Sequence, residues 1–175
     1  LKGGVGKTML CFNIGGILSQ LGYQVLVIDG DLQGNLTNNM GIDRTNPNLL
    51  TTYDIYNIES TQPDPEKLVL RAPIDRLPML DMIAGSIFLH KAELKIASVA
   101  GREQILSNYL SDHKKFFSKY DYILIDTNPS MSIVNQNAFL ASDSILLVSD
   151  VSMNAIEGAQ LFIALWEDAR RRLRK

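Results

Sequence analysis

The chain opens Leu-Lys-Gly-Gly-Val-Gly-Lys-Thr-Met-Leu, and these residue types suit phosphate chemistry. Gly3, Gly4 and Gly6 carry no Cβ, so their backbone N–H groups can turn inward around an anion. Residues 7–21, mostly apolar with few charges, read as a helix whose N-terminal dipole faces the same anion. Lys7 can reach outer phosphates, and the Thr8 hydroxyl can ligate magnesium. The usual phosphate loop is Gly, four free positions, then Gly-Lys-Ser/Thr. Counting back from Gly6 puts the first glycine at position 1, which here is Leu1, and an additional lysine, Lys2, follows it.

Two further sets of acids could serve a nucleotide. Asp29 and Asp31 leave the end of the apolar run QVLVIDGD (24–31), and residues two apart on a strand share a face. Beside a nucleotide such a pair can hold magnesium waters or orient an attacking water. Taken alone, it is equally an ordinary strand-end turn capped by aspartate. Asp126 ends YDYILIDT (120–127). Alone it is a buried strand that happens to end in Asp; after the loop and the first acids, in that chain order, it reads as a magnesium-binding acid. No zinc-ligand spacing and no nucleophile triad can be built from this inventory. Cys11, the one cysteine, excludes an internal disulfide and reads as a small buried apolar residue of the first helix.

The elements that must position these residues alternate. Gly22 stands where a helix C-cap glycine belongs. Residues 24–31, 77–85, 120–127 and 142–150 are short continuous apolar runs, the pattern of parallel strands buried on both faces. Residues 38–76 are turn-rich, with NLLTTYDIYNI (48–58) as a candidate helix. Residues 88–117 read as one or two amphipathic helices broken near Gly101, and 155–175 as another, with apolar spacing at Ile156, Leu161, Ile163, Leu165, Trp166 and Leu173. This alternation predicts a doubly wound α/β domain, its sheet mostly parallel and helices on both faces, with the ligand at the carboxyl ends of the strands.

Lys2 to Thr8, as Lys-Gly-Gly-Val-Gly-Lys-Thr, resembles the deviant Walker A loop of the ParA/MinD superfamily of P-loop ATPases. Asp-Gly-Asp-Leu-Gln-Gly-Asn (29–35) resembles the corresponding segment of its ParA/Soj branch, and residues 120–127 its Walker B strand. Asn128 stands where that family usually has the first of two prolines. Ala155 to Gly158 is similar to the family's Ala-Leu-Glu-Gly segment, and is equally an ordinary helix start. The resemblance runs from Lys2 to about Leu165. It implies ATP and magnesium as cofactors, with Lys2, Gly3, Gly4, Val5, Gly6, Lys7, Thr8 and Met9 around the nucleotide. Thr8, Asp29 and Asp126 are the implied metal residues, and Lys2, Lys7 and Asp31 the catalytic ones. Asp31 would orient the hydrolytic water. Lys2 would cross the interface of an ATP-dependent homodimer to phosphates held by the other subunit. The implied partners are nonspecific DNA and a ParB-type protein, with no membrane, in plasmid or chromosome segregation in a bacterial cytoplasm at the nucleoid.

Composition bounds the rest. At 175 residues, 46% hydrophobic and 21% charged, the chain reads as a single soluble domain. It starts on the loop and stops within a helix, so it reads as lacking its first strand and its C-terminal part. The net charge of −2 gives no bulk attraction to nucleic acid. Arg170, Arg171, Arg172, Arg174 and Lys175 cluster, but Glu167 and Asp168 precede them, and cations at a helix C-terminus complement its dipole. A MinD-like membrane regulator of cell division is the alternative, opposed by Gln33-Gly34-Asn35. A reductase of the nitrogenase-iron-protein kind needs cluster cysteines, and Cys11 within a helix is poorly placed.

Overall fold

The computed structural model describes residues 6–128, 130–149 and 153–173, with only the backbone of 153–156, 169, 170, 172 and 173. Helix α1 (Lys7–Gln20) leads through Gly22 into strand β1 (Val25–Asp29). Short helices follow: α2 (Asn35–Asn39), α3 (Thr52–Tyr56) and α4 (Pro65–Leu68). Then come β2 (Leu80–Ile83), α5 (Leu89–Ile96), a 3-10 turn at Arg102–Gln104, α6 (Ile105–Asp112) and α7 (Lys114–Phe117). Strand β3 (Tyr122–Asp126), α8 (Ile133–Ala141) and α9 (Met153–Leu173) complete the described chain. The break near Gly101 expected from the sequence falls at the 3-10 turn.

The sheet is parallel, in the order β2-β1-β3. All five residues of central β1 are buried, because each face carries a helical layer. Leu26 and Ile28 point into one core with Ile83, Leu89, Ile96, Leu106 and Tyr109. Val25 and Val27 point into the other with Leu80 and Met82, against which Cys11, Phe12 and Leu18 of α1 pack. One strand thus feeds two cores at a period of two, and the doubly wound α/β reading holds. The register pairs Asp29 with Asp126, so the two acids end adjacent strands side by side.

Two expectations are corrected. Residues 142–149 are not a strand among the described residues. The run SILLVS has the composition of a strand, but a strand exists only through a ladder partner, and none pairs with this segment in the described sheet. Leu146 is accordingly 68% exposed. The helix expected over 48–58 is confined to Thr52–Tyr56. Thr51 and Asp54 form a capping box that fixes its start, and the extended Asn57 ends it. In α9, Trp166 is buried against Phe139, ring centroids 4.7 Å apart, while Leu161, Ile163 and Leu165 are exposed.

Candidate functional site

The ends of β1 and β3 and the start of α1 meet at one place. Gly6, with φ +89°, turns the chain into α1 through the left-handed region. Among the described residues no side chain caps the helix, and first-turn N–H groups of this kind can bind an anion. Lys7 and Thr8 are half-buried there and Met9 is exposed. Lys2, Gly3, Gly4 and Val5, the rest of the expected phosphate loop, lie outside the described residues.

Asp126 is 3% exposed with the Thr8 side chain nearby, and its Oδ2 is buried with no hydrogen-bond partner. Burial pushes its carboxyl up to about 6; the Thr8 side chain opposes this, Asp29 and Asp31 add to it, and Lys7 again opposes it. An orphaned buried carboxylate oxygen beside a hydroxyl is the all-oxygen donor set that a hydrated magnesium ion takes, so Thr8 and Asp126 fit that metal. Among the described residues no group of three or more His, Cys, Asp or Glu forms a ready-made metal cage.

The other two acids differ from Asp126 and from each other. Asp29 is fully buried, and both its oxygens have partners: Oδ2 accepts from the Thr37 amide at 2.8 Å and its hydroxyl at 2.6 Å, and Oδ1 from the Asp31 amide at 3.2 Å. Burial raises its carboxyl above the ordinary value, with the Thr37 and Asp31 hydrogen bonds opposing and the Asp31 charge adding. Asp31 is 8% exposed, and its Oδ1 accepts from the Gln33 amide at 3.0 Å. The same crowding of charge reaches Cys11. Burial, then Asp126 and Asp29, pushes its thiol up to about 12.

Some residues that shape this site carried no signal in the sequence reading. Thr37 sits in the polar string Asn-Leu-Thr-Asn-Asn, and its role depends on contacts with strand ends distant in the chain. A glycine two residues past a buried strand, Gly85, was the available signal, since glycine there marks close backbone approach. Asn128 builds its own turn where the resemblance leads one to expect proline. Its Oδ1 accepts from the amide of Ser130 at 3.1 Å, from the Ser130 hydroxyl, and from Nδ2 of the fully buried Asn135 at 2.9 Å. The loop after Asp126 is thereby tied to α8. From the basic cluster, Arg171 pairs with Glu167 one helical turn back, as a dipole-complementing surface residue does.

A family model described as an AAA domain matches residues 1–175. The sporulation initiation inhibitor protein Soj of Bacillus subtilis is 34% identical over 157 residues, 90% of this chain and 58% of Soj. Among solved structures, a putative plasmid partition protein of Borrelia burgdorferi bound to AMPPNP superposes with a TM-score of 0.77 at 28% identity, over 99% of this chain and 68% of that one. Cobyrinic acid a,c-diamide synthase of Mycobacterium smegmatis, with a bound ATP analog and magnesium, superposes with a TM-score of 0.82 at 26% identity, over 97% and 65%. The chain thus spans a little over half of the curated relative it matches.

Proposed function

The chain belongs to the AAA domain family, in its ParA/MinD-type branch of P-loop ATPases, and from that premise we propose that it binds Mg-ATP at the start of α1 and hydrolyses it as a partition ATPase. Lys7 and the amides of Gly6 to Met9 hold the phosphates, continued by Gly3, Gly4 and Val5. Thr8 and Asp126 serve magnesium, and Asp31 orients the attacking water. When bound, the metal offsets negative charge on the phosphate oxygens. Lys2 acts in trans in an ATP-dependent homodimer, so that hydrolysis depends on dimerisation. The dimer binds DNA without sequence preference in the cytoplasm and answers to a ParB-type partner.

The observation that carries this reading is the buried, unpartnered Oδ2 of Asp126 at the end of β3, beside the start of α1 where no side-chain cap stands. The name of one similar protein, a putative plasmid partition protein, supports the partition process.

The test is binding of the full-length protein to random duplex DNA with ATP, with ADP and without nucleotide. Salt is held fixed, because such affinity falls steeply with salt. Binding confined to ATP, and lost in Lys2→Ala, is the expected result. No DNA binding in any nucleotide state overturns the partition reading.

A further inference from the structure

The loop that carries Asp31 is held from two sides by side chains to which no catalytic or metal role is given above. Inside, the chain of contacts begins at the end of β2. The Gly85 amide donates to the Thr37 hydroxyl at 2.7 Å, the hydroxyl donates to Asp29 Oδ2 at 2.6 Å, and Asp29 Oδ1 accepts from the Asp31 amide at 3.2 Å. Thr37 and Asp29 are both fully buried, so water offers no substitute partner. The approach is close. A Cβ on Gly85 would lie 2.7 Å from the Asp29 carboxyl carbon, so no side chain fits there. Outside, Arg44 Nη1 donates to the Gln33 carbonyl at 2.8 Å, and the guanidinium lies over Gly34, where a Cβ would stand 2.4 Å from its carbon.

We infer that Thr37, acting through Asp29 from within, and Arg44, acting on Gln33 from without, form a clamp that sets the position of the Asp31 carboxylate. This rests on the reading of Asp31 as the residue that orients water. Asp29 then acts as a positioning residue behind the site, with three of its acceptor positions taken up by Thr37 and the Asp31 amide. Thr37 is the hub. Its hydroxyl touches both strand ends, donating to Asp29 of β1 and accepting from Gly85, two residues past β2. Its amide fixes the start of α2 on the same carboxylate. The hydroxyl fills both of its roles at once, which an isosteric methyl cannot do.

The experiment compares Thr37→Val, Thr37→Ser and Arg44→Gln in the full-length protein. Three readouts are taken: kcat for ATP hydrolysis, affinity for a fluorescent ATP analogue, and backbone amide exchange over residues 30–36. Valine keeps the shape and removes the hydroxyl, whereas serine keeps the hydroxyl. In Thr37→Val, kcat is expected to fall roughly tenfold to a hundredfold, the cost of a misplaced reacting group. Nucleotide affinity stays within about threefold, because the phosphate loop is untouched. Exchange over 30–36 rises about tenfold, the reading of a loosened local segment. Thr37→Ser restores both. Arg44→Gln, at the more exposed side, moves kcat and exchange in the same direction by a smaller factor and covers the case in which Thr37→Val fails to fold.

Unchanged exchange in both Thr37→Val and Arg44→Gln overturns the clamp. So does raised exchange with kcat within about threefold of the parent, because the loop's position then does not matter to turnover. If the parent protein hydrolyses no ATP, the proposed function fails, and the exchange data alone still decide whether Thr37 and Arg44 hold the loop.

Discussion

Replacing Asp126 with Asn should stabilise the nucleotide-free protein while removing its response to magnesium. Asp126 is 3% exposed, and burial holds its carboxyl up at about 6, against an ordinary value of 3.8. A folded-state value above the unfolded one means that the charged form costs stability. The cost is complete above about pH 6, fades as pH falls, and is gone below the unfolded value. The gap is about two pH units at about 1.36 kcal/mol each, so the cost at pH 7.5 is about 3 kcal/mol as an upper bound. Asparagine removes that charge at nearly the same volume. Its amide N–H replaces an oxygen that already lacks a partner, which takes back about 1–2 kcal/mol. The net expectation is a gain of about 1–2 kcal/mol at pH 7.5. At pH 5 the parent is partly protonated at Asp126, and about half of the charge cost has gone, so the two proteins converge. Denaturant unfolding of the full-length protein at both pH values reads this directly. Magnesium added on top of ATP should raise the midpoint of the parent further, and this magnesium-dependent increment should be lost in the variant, since ligand stabilisation requires binding. A variant less stable than its parent at pH 7.5, or a difference that does not shrink at pH 5, would refute the account of Asp126 as an uncompensated buried charge awaiting a cation.

Two other outcomes follow from groups at opposite ends of the domain. Tyr120 donates its hydroxyl to Asp81 Oδ2 at 2.7 Å, in a cluster where Arg71 bonds the same oxygen at 2.8 Å. Tyr120→Phe should therefore lower unfolding stability by about 1–3 kcal/mol with ATP turnover unchanged, and equal stability would show that the hydroxyl contributes nothing there. Cys11, its thiol pushed up to about 12, should alkylate with iodoacetamide at pH 8 at least about a hundredfold more slowly than free cysteine, as read by mass spectrometry. A rate near that of the free amino acid would mean that the side chain is not held within the α1–sheet contact.

The parts of this molecule that local pattern determines were legible in the sequence. Gly6-Lys7-Thr8 opens α1, and Gly22 closes it, because helix ends are governed by residues within one turn. Val25 to Asp29 reads as a strand because both of its faces must be apolar. What failed was long-range. Ser144 to Ser149 has the same kind of apolar run as β1, but composition reports only that a run can be buried, and not whether a neighbouring strand lies beside it. Thr37 was silent for the same reason. Its importance lies in an amide from Gly85, 48 residues away, which no spacing rule within the DGDLQGNLT string could supply. Asn128 was legible only as a departure from the family's usual proline. The structure gives it content, since an asparagine can close the turn with its own side chain where a proline would close it by fixing φ.

Three carboxylates gathered at the ends of two adjacent strands pose an electrostatic problem, and the way each is satisfied distinguishes their roles. Asp29 has three donors and no free face, which is how a buried charge is made part of the scaffold. Asp31 has one donor from its own loop and a little exposure, which leaves lone pairs for a water. Asp126 is buried with the Thr8 side chain nearby and no partner on its Oδ2. An unmet acceptor of this kind costs stability in the free protein, and a native fold retains such a cost where a ligand relieves it. The order of satisfaction, fullest for Asp29, partial for Asp31 and least for Asp126, runs parallel to the roles proposed for them: holding, orienting water and binding a cation.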